Sequence, residues 1–191
     1  MKNNITRFEA RQIWDKFLKT EYLRLHTIES EAIMRKIASH LGENTEFWGN
    51  TGLLHDLDMD VIAGDYSKHG YKAVEILKSE GYDIPEMFNA IISHTEGVSG
   101  SDAKRSTSFE YILSAAENIT GIISAYVILT PEKKVAGTKV SSIKKRLKSK
   151  AFAASVNREF IYDIEKADLE LDVFLQLAID AMTEIADEIG M

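Results

Sequence analysis

The sequence predicts an all-α fold, a compact single-domain helical bundle over residues 1–191. Three observations predict it. Two prolines in 191 residues supply little of the turn chemistry that a many-stranded β fold needs. Helix start signals and glycine stops alternate along the chain. Apolar residues recur at helical spacing, and no run of strand alternation competes with them. At 45% apolar, the chain is also too rich in core-forming residues to be disordered.

The elements follow in order. Thr6 and Glu9 form a capping box that opens a first helix reaching about Lys19. A second helix is expected from about Thr27 to Leu41, stopped by Gly42, and Asn44 caps a third that ends near Leu54–Asp56. Residues 57–68 read as a loop. A fourth helix runs from about His69 to Glu80 before Gly81. Pro85 sits in the first turn of a fifth, which ends near His94. Thr107 and Glu110 form a second capping box, and Thr130-Pro131 is expected to cap a short seventh helix. Ser141/Ser142, Ser155 and Asp168 precede the last three. The final helix carries apolar residues at Phe174, Leu177, Ala181, Ile185 and Ile189.

The absence of cysteine excludes disulfides, thiolate metal sites and a Cys nucleophile, so a bound metal would need nitrogen and oxygen ligands. The net charge of −7 argues against nucleic acid as a partner. It is uneven: residues 163–188 hold nine acids and one lysine, whereas residues 139–150 hold six Lys/Arg and no acid. The N-terminus lacks the apolar core of a signal peptide, which leads us to expect a cytoplasmic protein. The stretch Tyr111–Thr130 has the length of a membrane span, but Glu117 stands at its middle. A mid-bilayer carboxylate is costly, so we expect no membrane partner and a helix buried in the protein core. Glu117 then needs a buried partner.

Four of the five histidines fall on or beside apolar helical stripes. His26 is seven residues before Ile33, His55 follows Thr51 by four, His69 leads into Ala73, Ile76 and Leu77, and His94 continues Ile84, Met87 and Ile91. Glu117 follows Leu113 by four, and Asp56 adjoins His55. Were the helices to form one bundle, these groups would converge, and a shared metal would relieve the desolvation of all of them. His40, two residues before Gly42, reads as structural, complementing a helix C-terminus.

The dipeptide His55-Asp56 between Gly52 and Leu57, with one histidine upstream and an acid downstream, resembles the HD superfamily of metal-dependent phosphohydrolases. The resemblance matches His26, His55, Asp56 and Glu117 to the family's H…HD…D pattern. His69, with Gly70 and Ala73 after it, and His94, between Ile92 and Gly97, are similar to the additional histidines of two-metal members. The stretches 55–58, 114–121 and 149–158 resemble a group of small predicted HD hydrolases. The resemblance covers most of residues 22–185, with a metal-site core at about 22–130 and a C-terminal extension at about 131–191. Two departures stand out. Glu117 takes the place of the family's usual Asp. The Gly-Tyr-Pro motif of cyclic-dinucleotide phosphodiesterases is missing, and Thr95 stands where they have a second His.

The resemblance implies one or two divalent metals, drawn from Fe, Mn, Zn, Co, Ni or Mg. It implies His26, His55 and Glu117 on one, His69 and His94 on the other, and Asp56 between them. The expected activity is hydrolysis of a small phosphorylated metabolite, a nucleotide foremost, by metal-activated water. Asp56 and Asp58 are the expected catalytic acids, with Asp58 orienting a histidine or relaying a proton. Lys150, Arg158 and Arg105 are the expected substrate-binding cations. Asp60 reads as a loop acid, and Glu96 and Thr95 as residues at the pocket entrance. Two alternatives remain: a di-iron oxygenase, and a non-catalytic domain that binds a metal or nucleotide. The oligomeric state is open, with a homodimer as one option.

Overall fold

A computed structural model of the protein describes residues 1–98 and 100–191. The described residues form α-helices and turns, with one isolated bridge, Lys2 to Tyr82, in place of any strand. The helices are α1 (Arg7–Phe17), α2 (Glu21–Leu41), α3 (Thr45–Leu54), α4 (Tyr71–Ser79), α5 (Pro85–Ser93), α6 (Ser108–Ile128), α7 (Val140–Leu147), α8 (Arg158–Tyr162), α9 (Leu171–Glu184) and α10 (Ala186–Ile189). Two 3-10 segments, Tyr66–Lys68 and Asp163–Ala167, complete the set.

Both predicted capping boxes form. The Thr6 side chain accepts from the Glu9 amide while the Glu9 carboxylate accepts from Thr6 N at 2.9 Å, and Thr107 and Glu110 repeat the exchange. The 21-residue α6 is the axis of the bundle. It packs against α2, α3, α5, α7, α8 and α9 and buries Ile112, Leu113, Ile119, Ile122 and Ile123 completely. Each such side chain contributes about 1.5–3 kcal/mol through loss of water contact. The helix has the length and hydropathy of a membrane span, and 56% of its most apolar window is buried inside the protein.

The structure departs from the sequence reading in four places. Helix α2 begins at Glu21, six residues before Thr27, because the Asp60 carboxylate accepts bonds from Lys19 N, Thr20 N and Thr20 Oγ1. This brace comes from 40 residues away and adds to a local start signal, Thr20 at the N-cap with Glu21 in the first turn. The helix expected after Thr130-Pro131 is absent: residues 129–139 form turns, with Lys133 and Gly137 at positive φ. Asn157, not Ser155, caps α8 by accepting from Glu159 N at 3.1 Å. The last helix breaks at Ile185, and its core face is Phe174, Leu175, Ala178, Ile179, Ala181 and Met182; the expected Phe174, Ala181 and Ile189 are buried, and Leu177 is only half-buried.

Two glycines set the spacing around the site. A Cβ on Gly52 would lie 2.8 Å from Ser30 O, so α3 approaches α2 closely enough to bring His55 to His26. Gly70, at φ +78°, precedes α4, and a Cβ there would lie 2.8 Å from Ile91 O. That contact holds the start of α4, and with it His69, against α5.

Candidate metal centre

His26 lies in the second turn of α2, His55 caps the C-terminus of α3, His69 precedes α4, His94 caps the C-terminus of α5, and Glu117 lies mid-way along α6. Asp56 sits where the five meet. Its Oδ1 is 3.4 Å from His55 Nε2, 3.4 Å from His69 Nε2 and 3.5 Å from His94 Nε2, and its Oδ2 is 3.5 Å from His26 Nε2. His26 Nε2 is 3.2 Å from His55 Nε2 and 3.9 Å from Glu117 Oε2; His94 Nε2 is 3.1 Å from His69 Nε2. Glu117, though a methylene longer than the family's usual Asp, therefore reaches the cluster.

The outer ring nitrogens reveal what the cluster is built for. Each Nδ1 meets an acceptor on the side away from Asp56. His55 bonds Gly52 O at 2.7 Å, His94 bonds Ile91 O, His69 bonds Asp58 Oδ1 at 2.9 Å, and His26 bonds Thr120 Oγ1 at 2.9 Å. The Thr120 hydroxyl donates its own proton to Glu117 O at 2.6 Å, so its oxygen is left to accept. A neutral imidazole has one N–H and one lone pair. With Nδ1–H turned outward, every Nε2 lone pair points inward. Lone pairs facing each other at 3.1 and 3.2 Å repel unless a cation lies among them. Between His26 and His55 a proton does not fill that role: burial, together with the neighbouring His94 and His26, pushes His55 down to about 3, against the raising effect of Asp56. Burial also lowers His26. Burial would raise Asp56, but the histidines around it hold it well below the usual carboxylate range. Glu117 is pushed well above that range by burial and by the Asp56 charge. Nitrogen and oxygen ligands at about 2.0–2.2 Å from one ion lie about 3–3.5 Å from each other, so the observed spacings fit divalent metals.

Two groupings present ligand atoms mutually within 4.8 Å: His26 with His55 and Glu117, and His55 with Asp56 and His94. His55 thus belongs to both, where the sequence divided the histidines evenly. His40 is exposed in the last turn of α2, outside the cluster.

Asp58 takes the first of its two expected roles, orienting a histidine, and is corrected as a catalytic acid because its carboxylate is bonded away from the cluster around Asp56. It is fully buried, Oδ1 accepts from His69, and Oδ2 accepts from Gly70 N at 2.7 Å and Ala73 N at 3.1 Å. It orients a ligand histidine and caps α4 in one gesture.

The three expected substrate cations also need correction. Arg158 donates all five of its N–H groups to carbonyls, those of Leu147, Ala153, Val156, Ser149 and Phe152. It clamps the loop after α7 and has no donor left for substrate. Arg105 is buried, with Nε 3.0 Å from Glu96, one terminal nitrogen 3.1 Å from Ser114 Oγ and the other 3.2 Å from Asp163, and it lies over the Phe160 ring. Lys150 is exposed at the end of the basic segment and does not line the cavity at the cluster. Within that segment Lys144 pairs with Asp172 of the acidic C-terminal stretch at 2.6 Å.

A cavity of about 430 Å³ opens over Asp56, His69, His94 and Glu117. Thr95 and Glu96 line it, and so do Met59, Tyr66, Asn118, Ser155, Asn157 and Phe160, which sequence reasoning did not assign. Arg105 and Lys104 hold Glu96 near 2 despite the opposing effect of burial. Asn118 joins the cluster to the C-terminal loop: its amide donates to Glu117 Oε1 and Ser114 O, and its oxygen accepts from Asn157 N at 3.1 Å. The polar run Glu117-Asn118 and the three-residue step to Thr120 were the available signals for this layer.

A scan of protein-family models matches the HD domain over residues 24–122, just over half of the chain and inclusive of all six candidate ligands. No curated protein and no solved structure matches.

Proposed function

The chain belongs to the HD-domain family, whose members are mostly metal-dependent phosphohydrolases, and we propose that it hydrolyses a small phosphorylated metabolite, a nucleotide being the foremost class. The observation that supports this reading is the convergence of four Nε2 lone pairs and two carboxylates beneath a cavity of substrate size. His26, His55 and Glu117 would hold one divalent ion and His69 and His94 a second, with Asp56 between them. When bound, such ions acidify water and neutralise phosphoryl oxygens.

The chain's own part is to place and exclude. The outward Nδ1 bonds fix each imidazole in the tautomer that leaves Nε2 free, and Asp58 does this for His69 with a full negative charge. Asn118 restrains Glu117 through Oε1, which leaves Oε2 turned to His26. Phe160 and Met59 give the cavity apolar walls that limit water. In the overall reaction a water oxygen bonds to phosphorus, the ester P–O bond breaks, and a water proton leaves with the alcohol.

Chelated protein reloaded with Mn, Fe, Co, Ni or Zn and offered nucleotides and phosphate esters is expected to release inorganic phosphate, and Asp56→Ala is expected to abolish it. Failure to turn over any ester with any metal counts against the proposal. Substrate-dependent O₂ uptake with iron alone would favour the oxygenase reading instead.

A further inference from the structure

We infer that the cavity accepts a phosphomonoester whose remaining part is uncharged and hydroxyl-bearing, and that it turns away di- and triphosphates. The inference rests on the phosphohydrolase reading and narrows it to a substrate class.

Three carboxylates, Asp56, Glu96 and Glu117, line the cavity, and among the described residues lining it there is no Lys or Arg. The nearest cations are committed elsewhere. Arg105 and Lys104 pair with Glu96, and the Arg158 guanidinium is filled by carbonyls. Positive charge for a substrate phosphate must therefore come from metals. Two divalent ions carry +4, and Asp56 and Glu117 return −2. The remaining +2 balances the −2 charge of one phosphomonoester above its second ionisation, at a pKa of about 6. A second or third phosphoryl group would bring further negative charge to a wall that offers no unpaired cation among the described lining residues.

The remaining walls fit the rest of such a molecule. Ser155 and Asn157 also line the cavity, with Asn157 Oδ1 taken up in capping α8. They suit hydroxyl groups. Phe160, backed on one face by the Arg105 guanidinium at 3.8 Å from the ring centroid, offers a platform for a flat or apolar portion.

The test is calorimetric binding of inorganic phosphate, pyrophosphate and tripolyphosphate to the Mn-loaded protein, with Mn²⁺ in excess so that chelation does not strip the site. Inorganic phosphate is expected to bind at least about 10-fold more tightly than tripolyphosphate. The variant Glu96→Gln is expected to narrow that ratio, since it releases Arg105 and Lys104 from their carboxylate partner at the cavity wall. Turnover of mono- against triphosphate esters is expected to follow the same order. Binding of pyrophosphate or tripolyphosphate as tight as that of inorganic phosphate would overturn the inference and leave the phosphohydrolase reading standing. Failure of all three probes to bind would overturn both.

Discussion

Glu29 offers a stability prediction that is independent of the metal centre. It lies in α2 one turn beyond His26, 4% exposed, and among the described residues its one side-chain partner is the Ser124 hydroxyl of α6, which donates to Oε1 at 2.9 Å. Burial raises its pKa from 4.5 to about 7, and the Ser124 bond offsets only part of this. A folded-state value above the unfolded one means that the folded protein holds a proton the unfolded chain gives up. Stability from this group is full below pH 4.5 and is lost as pH rises through about 7. At about 1.4 kcal/mol per pH unit, the loss approaches about 3 kcal/mol at pH 8 and is about 1 kcal/mol at pH 5. Glu29→Gln keeps the shape of the protonated acid and removes the titration. In the metal-free protein the variant is therefore expected to be more stable than wild type by about 3 kcal/mol at pH 8, or about 6–12 °C in Tm for a chain of this size. The gain should shrink to about 1 kcal/mol at pH 5. Thermal unfolding of both proteins across pH 5–8 measures it. A gain that does not change with pH, or a variant less stable than wild type at pH 8, would refute the reasoning.

Two further substitutions probe the supports of the site. Asp58→Asn removes the charge behind His69 and disturbs the cap on α4, and is expected to weaken metal binding about 10–100-fold by equilibrium titration, while helix content is kept. An unchanged metal affinity would place Asp58 outside the site. Arg158→Ala frees five carbonyls at once and is expected to cost about 2–4 kcal/mol in urea unfolding and to expose residues 148–157 to protease, with metal affinity little changed. Loss of activity at full stability and unchanged protease resistance would instead make Arg158 a substrate contact.

What could be read from the sequence was what is encoded locally. The Thr6–Glu9 and Thr107–Glu110 boxes and the stop at Gly42 each depend on neighbours a few residues apart, and each forms. The histidines were legible for a related reason: each continues an apolar stripe, and a stripe has to face the core, so His26, His55, His69 and His94 arrive at one place once the helices pack. The departures came from long-range chemistry. Asp60 braces the start of α2 from across the fold, a contact with no local mark, although Thr20 before Glu21 is itself a start signal that the reading from Thr27 passed over. Arg158 and Arg105 looked available for substrate because charge was visible and partners were not; carbonyls and distant acids fill them. The cavity wall drawn from Ser155, Asn157 and Phe160 depends on how the chain beyond the matched domain folds back over α6, through a bond between Asn157 N and Asn118 that sequence spacing does not specify.

The central claim is that the inward Nε2 atoms and the two carboxylates form a metal centre around Asp56. Calorimetric titration of chelated protein with Mn²⁺ or Zn²⁺, beside the variants His55→Ala and Asp56→Ala, tests it most directly. Wild-type protein is expected to bind about two ions per chain stoichiometrically, and both variants to lose that binding while remaining helical by circular dichroism. Wild-type protein that binds no metal, or variants that bind as wild type does, would contradict it.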